Sequence, residues 1–379
     1  LAQKPQIEWN LHDAWKSLGE SFITQRQEYQ EELRRIDREL QDIRSTLKHK
    51  IYSVVSNPSI GPTKVLIRGD VYKEGAQVRA GGIDTVGGPR GDFGLPADAT
   101  DGQRRLALAD WITQANRPLL ARVIVNRLWH YHFGAGIVET PNDFGFNGAR
   151  PSDRELLDAM AKEFLAGGMK LKSLHRLIVT SSVYRQSSQP REDGISKDAS
   201  NRFLWRYPVR RLDGESARDS MLQIAGLLDT RLGGPGYVDV DYKDTNGTTY
   251  YVPKAQEPPD CFRRTVYRFN PRCERVSMLD VLDCPDPSAT APKRAMTTTP
   301  LQALSLLNSS FVFQMSDALV DRWSKAGSDD EAIVGLFRSV LLRDPTSEEL
   351  LQAQGLVGEH GLRALARALW NSNEFLVLD

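Results

Sequence analysis

The chain has 379 residues, 40% of them hydrophobic and 26% charged, with 49 Lys and Arg against 49 Asp and Glu. Its length exceeds what one hydrophobic core usually serves and predicts two or three packed units of ordinary globular composition. Zero formal charge gives no bulk field toward nucleic acid or a membrane surface, and no apolar run approaches the roughly 18 residues of a membrane span. We therefore expect no nucleic-acid partner and no membrane-spanning helix. Leu1 in place of Met leads us to expect a processed or trimmed chain whose targeting segment has been removed. Cys261, Cys273 and Cys284 are too few for a disulfide scaffold; one bridge with a free thiol, or three buried thiols, both fit.

The expected fold is mainly α: a multi-helix globular domain with a small β element and a long N-terminal helix. Residues 1–55 form the N-terminal helical region, where Leu33, Ile36, Leu40, Ile43 and Leu47 recur every three or four positions and mark one apolar face. Glu31, Arg34, Arg35, Asp37 and Arg38 fill the other face, which predicts a long exposed helix, half of a helical hairpin. Residues 56–102 read as a loop-rich connector with a short strand at Val65, Leu66 and Ile67, followed by dense Gly and Pro. Its Arg68-Gly69-Asp70 triplet is shared with an adhesion motif, but three common residues meet often by chance.

The main helical domain is expected over 103–379. One helix starts near Leu106, and the next starts at Pro118 and stops near Gly134. Ser152 and Glu155 suggest a capping box, Gly167-Gly168 a stop, and Leu171 to Tyr184 a further helix. Arg210 to Leu228 reads as helix. The small β element is placed near 237–270, in the runs Thr248 to Val252 and Arg264 to Phe269. Thr299-Pro300 starts a helix reaching about Phe311, and three short helices fill 328–379.

Several segments carry a resemblance. They are Asn126-Arg127-Leu128-Trp129 with His132-Phe133-Gly134, Pro141 to Gly145, Leu174 to Ser181, and Tyr184 to Ser188. Arg210-Arg211-Leu212, Glu215 with Arg218-Asp219, Thr297 to Leu304, and Asn371 to Leu376 continue the series in order. From about residue 60 to its end the chain resembles the planctomycete-type family of domains of unknown function 1553. The resemblance implies the C-terminal part of a large secreted protein that often carries a c-type cytochrome domain. It also implies an extracytoplasmic setting near sulfatases and polysaccharide-degrading enzymes. Tyr131 and Arg154 stand where the family commonly has His, and the cytochrome part is absent. No reaction is attached to the family, and the cofactor stays unknown.

Four constellations could carry chemistry. Asn126, Arg127, His130 and His132 lie at one helix end and could hold a carboxylate or sulfate or transfer a proton; a polar helix end with a buried His is the plainer alternative. His175 and Arg176 with Ser181, Tyr184 and Arg185 could form a site or a buried network, and no Gly-x-Ser-x-Gly elbow accompanies them. Arg211, Glu215, Arg218 and Asp219 share a helix face, as acid–base groups or as internal ion pairs. The helix start at Thr299-Pro300 could hold an anion or be simply capped. Guanidinium forks bind carboxylates and sulfates bidentately, so Arg122, Arg127, Arg176, Arg185, Arg211 and Arg268 are expected to line one anionic cleft.

These readings give an expected accessory or binding module for polysaccharide breakdown, its ligand an acidic or sulfated glycan held by Asn126, Arg127, Arg176, Tyr184, Arg185, Arg211 and Arg218. The alternatives are an enzyme on such glycans using His175, His132, Glu215 and Asp219, or a docking domain for a c-type cytochrome. No metal site is expected.

Overall fold

The computed structural model describes residues 21–46, 55–57, 61–83, 91–114, 118–272, 277–323 and 327–378. Two compact units divide the chain, Leu1–Trp111 and Ile112–Asp379.

In the first unit, helix α1 spans Ser21–Thr46. Leu33, Ile36 and Leu40 are all exposed along it. Leu47 and the Ile43 side chain fall outside the described residues. Strands β1 (Lys64–Leu66) and β2 (Glu74–Gln77) pair antiparallel around the turn that contains Arg68-Gly69-Asp70. Asp70 there is turned inward onto the Tyr72 N–H and the Lys73 ammonium. Helix α2 spans Asp101–Thr113, most of it in this unit.

The second unit is mainly helical, with two apolar clusters. Helix α3 (Pro118–Phe133) opens with Pro at its first position, where the missing N–H costs nothing. It buries Ala121, Val125 and Leu128, at i, i+4 and i+7, against α4 (Arg154–Ala166) and α5 (Leu171–Val179). Each large apolar side chain so buried contributes about 1.5–3 kcal/mol. The helix stops at Gly134, whose φ of +78° suits glycine and whose N–H returns to His130 O at 2.8 Å. The cap of α4 is Asp153, accepting from Leu156 N, and not the expected Ser152.

After the short helix α6 (Glu192–Lys197), the helix expected from Arg210 begins later. Arg210 and Arg211 form strand β3, paired antiparallel with Val377 and Leu378 of β6 at the far end of the chain. Asp213 then caps α7 (Gly214–Ala225), with its carboxylate accepting from Ser216 N. The β hairpin is β4 (Val240–Thr245) with β5 (Thr248–Pro253). Residues 264–269 do not extend it: Thr265–Tyr267 is a 3₁₀ turn, because Thr265 is held by Asp219.

The larger apolar cluster gathers α7, α8 (Ser277–Val281), α10 (Ser310–Trp323), α11 (Asp329–Leu341) and α13 (Leu362–Trp370), with Trp370 fully enclosed. α9 (Pro300–Asn308), α12 (Ser347–His360) and the single turn α14 (Asn373–Leu376) add Leu306, Ala353 and Phe375 to it. The helix expected from Thr299 to Phe311 breaks at Ser309, giving α9 and α10. Cys261 and Cys284 are free thiols; Cys273 falls outside the described residues. No helix among the described residues is long and apolar enough to cross a membrane.

Candidate functional site: a cavity walled by arginine

A cavity of about 440 Å³ opens where α3 ends, β3 runs into α7, and the irregular stretch before α9 passes over them. Its walls come from His130, Tyr131 and Gly134, from Arg210 to Asp213, from Leu282 and Asp283, and from Arg294 to Met296. Its volume is within the range of small-ligand sites, roughly 300–1,000 Å³.

Three guanidinium groups face it, each fixed differently. Arg210 donates to Tyr131 O at the end of α3. Arg211 donates to Thr297 O and to Gln302 Oε1 at 2.6 Å. Arg294 forms a two-pronged pair with Glu215, 2.6 and 2.8 Å. The carboxylates nearby are already committed. Asp283 accepts from Thr297 N (2.7 Å), Thr297 Oγ1 (2.9 Å) and Gln302 Nε2 (3.1 Å). Asp213 caps α7. Arg210 and Arg211 thus bond oxygens of uncharged groups, and among the described residues neither is paired with a carboxylate. The two guanidinium groups share the wall with the Asp213 and Asp283 carboxylates, whose own hydrogen bonds come from Ser216 N and from Thr297 and Gln302.

Burial, then Lys293, Arg210 and Arg127, push the His130 imidazole below its ordinary value, so it is held neutral. Burial would raise Glu215, but the Arg294 hydrogen bonds win and keep its carboxyl below the usual range. The Cys284 thiol, partly buried and donating to Glu215 at 3.6 Å, is pushed up to about 12 and is no nucleophile at neutral pH.

The predicted residues scatter more than the sequence suggested. Arg211 reaches the cavity, with Glu215 behind Arg294. His132 and His175 do meet, Nε2 to Nδ1 at 2.8 Å, with the Tyr184 ring 5.5 Å from His132 and the Tyr207 hydroxyl on His132 O. At that distance one ring donates and the other accepts, so the two share a proton. This half-buried cluster is not part of the cavity wall. Asn126 is fully buried and clamps the turn after α3, giving to Val138 O at 2.9 Å and taking from Val138 N at 2.8 Å.

The remaining arginines do not gather into one cleft. Arg127 binds Asn142, Arg122 pairs with Asp158, and Arg185 is exposed. Arg176 lines a separate depression with Lys170 and Thr180. Arg268 is enclosed against Asp239 at 2.7 Å. Arg218 is 2% exposed and is spread over Glu257, Cys261 O, Arg263 O and Thr265. Asp219 accepts from Thr265 N at 2.7 Å and pairs with Arg264. At Arg122, Arg218, Arg268 and Asp219 an internal ion pair takes up the charge. The α9 start is likewise satisfied, by a reciprocal Thr299–Gln302 capping box. Arg294 and Asp283 carried no signal in sequence, since both lie in an irregular stretch and their partners are distant. No described tryptophan is in the exposed class, so a stacking platform of indole rings is absent there. Among the described residues no group of three or more His, Cys, Asp or Glu could hold a metal.

The model of the family described as "Protein of unknown function (DUF1553)" matches residues 104–357, and the chain belongs to that family. None of the curated proteins and none of the solved structures matches it.

Proposed function

We propose that the cavity binds the anionic group of an acidic or sulfated glycan and that the chain serves as an accessory binding module in extracytoplasmic polysaccharide breakdown. The observation that carries this is the pair Arg210 and Arg211, two guanidinium groups on a concave wall with no carboxylate partner among the described residues. Fixed guanidinium donors hold a carboxylate or sulfate at lower entropic cost than mobile lysines do. Two of the segments that resemble the family line this cavity, the end of α3 and Arg210-Arg211-Leu212, and a third, the run from Thr297 into α9, holds Arg211 from behind through Thr297 O and Gln302.

An acid–base enzyme is less well supported. Glu215 and Asp219 are paired with Arg294 and Arg264, and His132 with His175 stands off the cavity wall. Titration calorimetry at low salt with sulfated and uronate oligosaccharides, against neutral ones of equal length, tests the binding reading. Anionic ligands should bind and neutral ones should not, with Arg210→Ala removing the difference. Equal or no binding to both classes would overturn the proposal.

A further inference from the structure

The first unit carries a cavity of its own, about 340 Å³, between the end of the β1–β2 hairpin and the turn that leads into α2. Thr63, Gln77 and Arg79 stand on the hairpin side, and Leu95, Pro96 and Arg104 on the other. Main-chain bonds set both sides. Val78 N donates to Thr63 O at 2.9 Å and carries the hairpin pairing one step past Lys64 and Gln77. Ala99 N donates to Pro96 O at 3.1 Å, and Thr100 and Gln103 close a reciprocal cap at the start of α2.

The two guanidinium groups are free to meet a ligand. Arg104 is partly buried and donates to Ala99 O at 3.0 Å and Ala97 O at 3.3 Å. Those carbonyls fix its direction without neutralising it. Arg79 is exposed, and among the described residues neither arginine has a carboxylate partner. No Asp or Glu lines the cavity among the described residues. Carboxylates nearby in the chain turn to other groups: Glu74 to Lys64, Asp70 to Lys73 at 3.2 Å, Asp92 to Gly94 N at 2.8 Å and Asp101 to Arg105 at 2.8 Å. Asp98, next to Ala97, is exposed and off the wall. A concave wall of one charge sign concentrates counter-ions of the other. The planar fork of arginine matches two oxygens of a carboxylate or sulfate. A volume near the lower end of small-ligand sites, roughly 300–1,000 Å³, admits one such group and its carrier, not a folded partner.

We infer that this cavity is a second oxyanion site, contained within the first unit, and that, on the reading of the chain as a binder of acidic glycan, it takes a sulfate or uronate carboxylate of that ligand. Arg104 is the fixed fork and Arg79 the second cation.

The test uses the full chain labelled with 15N-arginine and follows the Nε–H resonances at constant ionic strength. Sodium sulfate, a monosulfated disaccharide and a uronate disaccharide should each shift the Arg104 signal to saturation, and a neutral disaccharide should not. Arg79→Ala should weaken the Arg104 response by about five-fold or more. Arg104→Lys keeps the charge but loses the fork, and should weaken the Arg79 response similarly. Arg105→Ala, whose side chain is off the wall and paired with Asp101, should leave the Arg104 response unchanged. An Arg104 signal that never saturates, or that saturates equally in Arg79→Ala, overturns the site. Sulfate binding that neither anionic disaccharide reproduces overturns the glycan assignment. The two cavities fail separately. Disaccharides that shift Arg104 but leave Arg210 and Arg211 still would remove the reading of the larger cavity and support this one, and the reverse would overturn this one.

Discussion

Two arginine-rich regions of the second unit make opposite use of the same side chain. Around Arg218, Arg263 and Arg268 the guanidinium groups are enclosed and bonded to Glu257, Asp239 and a set of main-chain carbonyls, with one nitrogen of each left without a hydrogen-bond partner. Around Arg210, Arg211 and Arg294 they stand on a cavity wall, two of them without counter-ions among the described residues. The first region holds loops onto α7, and the second leaves charge facing solvent. Density of arginine along the chain does not separate the two. The number of internal carboxylates and carbonyls that each region brings within reach does.

The sharpest way to break this contrast is Arg218→Ala. It strands a partly buried Glu257 and opens a void beside Tyr237 and Phe311, and should cost about 3–5 kcal/mol in chemical denaturation. A loss under 1 kcal/mol would mean the enclosed cluster is not structural. Arg210→Ala should do the reverse: a midpoint within about 0.5 kcal/mol of the parent, with affinity for a sulfated oligosaccharide reduced by about 1.5–3 kcal/mol. If both variants mainly lose stability, the two regions are the same kind of object.

Proton linkage sharpens the comparison further. His130 is held neutral by burial and by Lys293, Arg210 and Arg127, so its value lies below the ordinary one in the free protein. A bound anion opposes those cations and raises it. Affinity should therefore increase as pH falls from 7 toward 5, with protons taken up on binding in calorimetry across buffers of different ionisation enthalpy. A profile that is flat, or that falls with acid, would remove His130 from the site. Glu215 acts on stability with the opposite dependence. Its folded value is depressed, so its pair with Arg294 stabilises above the unfolded carboxyl range and is lost as pH falls through the lower folded value. Glu215→Gln should flatten the acid limb of the stability curve. The smallest effect is expected at α9, where Thr299→Ala removes one half of a capping box and costs about 1 kcal/mol in the melt, without change in ligand affinity.

Much of the helical framework was legible because its signals are local. Pro118, Gly134 and the Thr299-Pro300 start act through backbone geometry within a few residues, and the structure places those ends as expected. The misread segments share a different cause. Arg210 and Arg211 extend as a strand because Val377 and Leu378 pair with them, and that partner lies at the other end of the chain. Residues 264–269 have β-rich composition, but Asp219 captures Thr265 and turns the backbone. The cavity was hidden for the same reason. Its Arg294–Glu215 pair spans 79 positions, and nothing near Arg294 announces the partner. His130 was in view beside His132, yet two positions of helix decided which of the two faces the opening.

The Asn126 clamp has a consequence for how a ligand would be met. Its amide reproduces both hydrogen bonds of a strand neighbour for Val138, and Gly136 passes so close that an added methyl would lie 2.8 Å from the amide. The turn beyond α3 is therefore rigid before anything arrives. A guest entering beside His130 would find one side of its berth already set, so most of the reshaping on association would fall to the irregular span carrying Arg294 and Met296 opposite.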